Sequence, residues 1–317
     1  MSKYLITGGA GFIGSTLANH LSSDHEVMVI DDLSMGDVSN LVDRVNLTFV
    51  EADVTNKELM SEVLENNEFD YIYHLAAIAS VADSVERPIE THQINFESVL
   101  LLLELIKSKQ PDLKRLVFSS SAAVYGDEPT LPKEEESVIR PLTAYAIDKF
   151  AAEKYVLAYS HLYNVPTSAV RFFNVYGPNQ NPSSPYSGVI SILVDRLERH
   201  LRGEEVDFTV FGDGSQSRDF VYVKDVIAAL LLVGESKKSL GEVYNVGTGQ
   251  ATSLNRLIEL AKTNVKSELP INYQEGRQGD IPHSYANISK LKALGFSGHY
   301  TIEEGLEEYL KNMFNQP

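Results

Sequence analysis

The sequence predicts a doubly wound parallel α/β sheet with a second, smaller α/β lobe, and three observations carry that prediction. Short apolar runs alternate with longer helical patterns through the first 175 residues. The runs are rich in Val, Ile, Leu, Phe and Tyr with little period-two alternation, as strands buried on both faces must be. A glycine-rich turn joins the first run to the first helical pattern.

Strands are expected at 3–7, 26–31, 46–51, 69–75, 114–120 and 166–174. After Gly177 the chain reads Pro178-Asn179-Gln180-Asn181-Pro182-Ser183-Ser184-Pro185, a loop-forming stretch that opens the second lobe. Asp225 to Val233 reads as a helix and Val243 to Val246 as a short buried strand returning to the sheet, whereas 251–317 reads as helical and outlying. The expected division is a dinucleotide-binding domain at 1–176, rejoined by 219–248, with 177–218 and 249–317 forming a substrate lobe.

Composition excludes several function classes. A net charge of −17 repels nucleic acid and anionic membranes, so a phosphate ligand needs named basic residues. Without cysteine there is no disulfide, no thiolate nucleophile and no Cys-bound metal. The eight histidines show no HxxxH spacing, so no metal site is expected. No apolar stretch approaches the roughly 18 residues that span a bilayer, and the expectation is a cytoplasmic protein.

The glycine turn reads Thr7-Gly8-Gly9-Ala10-Gly11-Phe12-Ile13-Gly14. Its glycines permit a tight turn, let backbone approach a pyrophosphate, and let helix pack closely on strand, with the helix N-terminus facing the anion. The next strand ends in Asp31-Asp32, where a carboxylate can accept hydrogen bonds from adenosine ribose hydroxyls, a role given to Asp31. No Lys or Arg lies between Lys3 and Arg44 to neutralise a 2′-phosphate, so the cofactor expected is NAD rather than NADP.

Tyr145 and Lys149 are four apart in a helical stretch and so share a face. With 16 tyrosines in the chain, roughly one such pair arises by chance, and the spacing alone carries little. Phe118-Ser119-Ser120-Ser121 closes a buried strand just upstream, at the carboxyl edge of the sheet where ligands bind.

These segments, with Ala52-Asp53-Val54 and His74-Leu75-Ala76-Ala77, follow one another as in extended short-chain dehydrogenases/reductases, and the resemblance covers essentially the whole chain. It implies that Gly8, Gly11, Phe12, Ile13, Gly14, Asp31 and Asp32 hold the dinucleotide. It further implies that Asp53 and Val54 contact the adenine, that Leu75, Ala76 and Ala77 line the cofactor, and that Asn95 supports the sheet beside it. Ser121, Tyr145 and Lys149 become the catalytic set, with Tyr145 and Lys149 also touching NAD. His74 is assigned to packing.

Dehydratases of this family place Asp-Glu beside the catalytic hydroxyl and decarboxylases a Glu, whereas Ala122-Ala123 stand here. The segment 118–127 resembles UDP-galactose and UDP-N-acetylglucosamine 4-epimerases, which implies C4 epimerisation of a UDP-hexose through a 4-ketose. The same resemblance gives Asn174, Val189, Phe211, Arg218, Arg277, Asp280 and Ser284 to the substrate. Asn174 would hold the diphosphate, Phe211 the uracil, and Arg218 and Arg277 the phosphates. Four residues after Asp280, Ser284 would face the C2 substituent, where a serine leaves room for an N-acetyl group. The resemblance also implies a homodimer through the helices Asn95 to Lys107 and Asp148 to Leu162. The alternatives are another nucleotide-sugar epimerase or reductase, such as a UDP-glucuronate 4-epimerase, and a non-catalytic NAD-binding protein.

Overall fold

In the computed structural model, which describes residues 1–182, 188–276 and 281–314, the apolar runs form the strands expected of them. These are β1 (Lys3–Thr7), β2 (Glu26–Asp31), β3 (Leu47–Glu51), β4 (Tyr71–His74), β5 (Arg115–Ser121) and β6 (Thr167–Phe172). The final run, read as reaching 174, breaks at Phe173 and continues as β7 (Asn174–Tyr176), which leaves the sheet. Beyond it come β8 (Phe208–Phe211), β9 (Ser217–Arg218), β10 (Phe220–Tyr222), β11 (Val243–Val246), β12 (Thr252–Ser253), β13 (Ile271–Gln274) and β14 (His283–Ser284).

Seven strands make one parallel sheet in the order β3-β2-β1-β4-β5-β6-β11. The order reverses between β1 and β4, so the chain leaves their paired carboxyl ends toward opposite faces of the sheet and a crevice opens there. The helices between strands are α1 (Phe12–Leu21), α2 (Lys57–Asn66), α3 (Val81–Glu86), α4 (Pro88–His92), α5 (Ser98–Lys109) and α6 (Ala144–Tyr163). A single π-turn, Gln93–Glu97, joins α4 to α5. The later helices are α7 (Val189–Leu201), α8 (Val223–Glu235), α9 (Leu254–Val265), α10 (Ser289–Ala293) and α11 (Ile302–Phe314).

Alternation of side chains across each strand explains why the runs are apolar throughout. Leu5, Ile72, Leu116 and Phe118 face α5 and α6 in one core, while Tyr4, Ile6, Tyr73 and Val117 face α1 and α8 in another. Leu291 and Phe296, late in the chain, join this second core. A third core lies between α7, α9, α11 and the strands β8 and β10. Helix α6 starts where Thr143 accepts from the Ala146 N–H (3.3 Å), and it ends at Asn164 in the left-handed region (φ 58°).

The 251–317 segment departs from the helical expectation. β12 precedes its first helix, α9, and β13 and β14 follow it; they pair with β9 and β8. Two-residue strands carry no periodicity to read, and their partners lie tens of residues away in the chain. No helix among the described residues is long and apolar enough to cross a membrane.

His74 ends β4 and is 1% exposed. Its Nδ1 lies 2.8 Å from Thr7 Oγ1, its ring stacks with Phe118, and its Nε2 has no protein partner. Burial, reinforced by the Lys149 ammonium, lowers its pKa to about 3. Between the ordinary value of 6.5 and about 3, only the unfolded chain takes up this proton, so stability is lost as pH falls through that window. Between pH 7 and pH 5 this single group is expected to remove about 2 kcal/mol. Urea unfolding at both pH values should show His74→Gln losing less stability than wild type by that margin; equal losses would refute the assignment.

Candidate active site

The crevice between the ends of β1 and β4 is a cleft of about 530 Å³. Two loops form its floor, and glycine in the first lets them approach. Gly8 lies at φ +68°, and a Cβ there would sit 2.6 Å from the Ala76 nitrogen in the loop after β4. A Cβ on Gly14 would meet the Gly8 carbonyl at 2.1 Å. Gly11, Phe12 and Ile13 complete the turn and line the cleft, with Gly11 just before the N-terminus of α1. That helix end offers unpaired N–H groups to an anion.

Asp31 is buried at the end of β2. It accepts from the Ala10 N–H (3.0 Å) and the Leu33 N–H (2.9 Å), so it braces the glycine turn as well as facing the cleft. Burial raises its pKa, and the two backbone donors offset part of that rise. Each carboxylate oxygen keeps a second acceptor site for a ligand hydroxyl. Asp32, exposed beside it, accepts from the Ser34 N–H and hydroxyl. Asp53, Val54, Leu75, Ala76 and Ala77 line the same wall.

Asn95 differs from its expected place. It is buried in the π-turn, accepts from the Ile78 N–H (2.9 Å) and donates to the Ile78 carbonyl (3.0 Å). It therefore clamps the loop after β4 rather than the sheet, and Ile78 lines the cleft in its stead.

Ser121, Tyr145 and Lys149 meet at one end of this cleft. The Ser121 hydroxyl accepts from the Ala123 N–H (3.2 Å), which caps the short turn Ala122–Tyr125, and it lies near enough to the Tyr145 phenol to draw that group's pKa down. Lys149 donates to the Ser119 carbonyl (2.8 Å) and lies over the Phe118 ring. Burial pushes the Tyr145 phenol above the ordinary tyrosine value, with Ser121 pulling only partly the other way. Burial also lowers Lys149 to about 7. In the free protein the phenol is thus a neutral donor, and the lysine loses its proton readily. A Tyr145 that acts as a base needs further positive charge beside it.

The residues expected to bind substrate are mostly elsewhere. Asn174 is exposed on β7, Val189 opens α7 next to the cleft-lining Gly188, and Phe211 ends β8. Arg218 and Ser284 are register partners on β9 and β14, and the Asp219 N–H donates to the Ser284 carbonyl (3.0 Å). Arg218 donates to the Ser217 carbonyl (2.9 Å). None of these five lines the cleft as described. Arg277 and Asp280 lie outside the described residues.

Sequence reasoning missed a polar wall. Ser80, Asp83, Arg87, Glu90 and Ile94 line the cleft from α3, α4 and the π-turn. Their spacing of three and four residues is the available signal, since it places them on one helical face. Without the fold, that pattern reads as a solvated surface.

The chain matches the family model of the NAD dependent epimerase/dehydratase family over residues 4–247. It is 35% identical over 313 residues to the putative UDP-glucose 4-epimerase of Methanocaldococcus jannaschii, with 98% of each chain covered. The UDP-N-acetylglucosamine 4-epimerase of Methanobrevibacter ruminantium, solved with UDP-N-acetylmuramic acid, superposes with a TM-score of 0.92 at 37% identity, covering 100% of this chain and 99% of that one. The UDP-glucose 4-epimerase of Thermus thermophilus, solved with NAD, superposes with a TM-score of 0.88 at 32% identity over 99% of each chain. With its sheet order and glycine-lined cleft, the chain belongs to the NAD-dependent epimerase/dehydratase family of enzymes.

Proposed function

We propose that the protein interconverts the C4 epimers of a UDP-hexose, and that one observation carries the reading: Ser121, Tyr145 and Lys149 converge in an NAD-sized cleft with alanines, not acids, following the serine. NAD fits this cleft because its floor is bare backbone: glycine at positions 8 and 14 lets the turn close on itself and on the Ala76 loop, where a Cβ would collide, and so bring the N-terminus of α1 up to the cleft. Gly8 to Gly14 would hold the pyrophosphate, Asp31 and Asp32 the adenosine ribose, and Asp53 and Val54 the adenine. The carboxylates on that wall disfavour a 2′-phosphate. NAD supplies the hydride acceptor and, when oxidised, a positive ring beside the phenol.

Tyr145 takes the O4 proton as the C4–H bond breaks, while Ser121 donates to the same oxygen. Lowering a phenol pKa by ~3 units takes roughly 4 kcal/mol of phenolate stabilisation, to which a protonated Lys149 contributes. Because no acid stands beside Ser121 to drive elimination, the 4-ketose turns in the cleft. Tyr145 then returns the proton as C4–H re-forms on the opposite face.

Among the described lining residues the cations are Arg87 and Lys149, facing Asp31, Asp32, Asp53, Asp83 and Glu90. This balance supports an uncharged hexose over a uronate. Phe211, Arg218 and Arg277 are assigned to the uridine diphosphate, with Asn174 and Asp280 beside it, on the family resemblance. Residues 1–176 with 219–248 would hold NAD, and 177–218 with 249–317 the sugar nucleotide. Exposed Ile147, Tyr155, Leu162 and Tyr163 along α6 support a homodimer through α5 and α6, and the reading places the enzyme in the cytoplasm.

Tyr145→Phe should lower turnover at least ~100-fold while nucleotide-sugar binding persists, as loss of a general base requires. The measurement is conversion of UDP-galactose by protein that carries NAD from purification and accumulates no NADH. Near-normal turnover would remove Tyr145 as the base, and stoichiometric NADH would mean net oxidation instead.

Pairing with Arg218 gives Ser284 a fixed place beside the residue assigned to phosphate, which supports it as the C2 gate. Wild type should therefore accept UDP-N-acetylgalactosamine. Ser284→Tyr should cut kcat/KM for that sugar by about 10- to 200-fold and leave UDP-galactose nearly unchanged. Rejection of the acetylated sugar by wild type, or equal effects on both sugars, would move the gate elsewhere.

A further inference from the structure

Glu153 follows Tyr145 by eight residues and Lys149 by four, so the three share one face of α6. It is fully buried and ion-paired with Arg171 of β6, itself 1% exposed. Arg171 donates through Nη2 to Oε1 (2.6 Å) and through Nε to Oε2 (2.9 Å). The Ser120 hydroxyl of β5 donates to the same Oε2 (2.7 Å), and Ser120 is the register partner of Arg171 across β5 and β6. Helix and strand tip thus meet at successive turns: the Tyr145 phenol faces Ser121, Lys149 donates to the Ser119 carbonyl, and Ser120 donates to Glu153.

Only the first two of these connections touch groups given a chemical role. The third is made to a carboxylate that cannot shift, because Arg171 is held in turn by the Tyr125 hydroxyl (2.8 Å) and the Glu135 carbonyl (2.9 Å). A slide of the strand tip would leave a buried carboxylate short of a donor, which burial penalises.

We propose that Ser120 is a positioning residue: by its hydrogen bond to Glu153 it locks the tip of β5 against α6 so that the Ser121 hydroxyl and the Tyr145 phenol converge on one substrate oxygen. This rests on the proposed roles of Tyr145 and Ser121. Small errors in such convergence cost rate rather than affinity.

The test uses NAD-loaded enzyme and the better substrate of UDP-galactose and UDP-N-acetylgalactosamine. Reduction of bound NAD is followed by absorbance in a single turnover. Ser120→Ala should slow it about tenfold, while KM and bound NAD stay at wild-type values and Tm falls only as far as one lost donor to a buried carboxylate requires, and Ser120→Thr, which keeps the hydroxyl, should recover most of the rate and of the Tm. A wild-type rate in Ser120→Ala overturns the proposal. So does a rate loss matched by loss of bound NAD, or one that Ser120→Thr does not recover, since that is a general structural effect. Tyr145→Phe separates the two levels: if it is inactive while Ser120→Ala is normal, only the positioning role falls. If Tyr145→Phe is itself active, the proposed chemistry falls and takes this role with it.

Discussion

The buried ion pair between Glu153 and Arg171 is the constraint around which the cleft is arranged. It joins α6, β6 and, through Ser120, the end of β5, and Arg171 extends it to Tyr125. Tyr125 donates onward to Asn245 of β11 (2.7 Å), whose N–H donates to Glu135 (2.7 Å). Burial works against the Arg171 guanidinium, but the Glu153 carboxylate outweighs it and raises its pKa. Such a pair is weak evidence for stability, because desolvating both charges offsets most of their attraction. Removing one partner is different, at about 3–5 kcal/mol, because the other charge is left buried and alone. The pair therefore acts as a geometric lock more than as a source of stability.

Charge explains the rest of the cleft. An acidic chain with a net charge of −17 belongs to a family that uses an anionic cofactor, and its cleft offers a glycine turn and a helix N-terminus in place of a basic patch. The glycine turn presents N–H groups and the N-terminus of α1, so the attraction is short-ranged and confined to the pyrophosphate position. The carboxylates Asp31, Asp32 and Asp53 also line this cleft, so its electrostatics oppose an added phosphate there.

The same burial that shapes the cleft sets its protons. Tyr145 is raised, Lys149 is lowered to about 7 and His74 to about 3, each with desolvation as the leading cause. In the free protein desolvation pushes each of these groups toward its neutral form. Sequence spacing brings Tyr145 and Lys149 together but is silent on this preference, since desolvation depends on what the fold places around them.

By itself the sequence determined the strands of the parallel sheet, the glycine turn and the cofactor preference, because each is a local matter of periodicity, backbone sterics or nearby charge; Ser121, Tyr145 and Lys149 stand out through family resemblance, since their spacing alone carries little. Tertiary structure decided where Asn95 points, since its partner Ile78 belongs to another loop. It also created β12 to β14, whose pairing joins segments tens of residues apart, and it turned Ser80, Asp83, Arg87 and Glu90 from an apparent solvated face into a cleft wall. The Glu153–Arg171 lock belongs to the same class. Each residue alone is an ordinary charge on a helix or strand, and only the docking of α6 onto β5 and β6 removes both from water and makes their geometry binding.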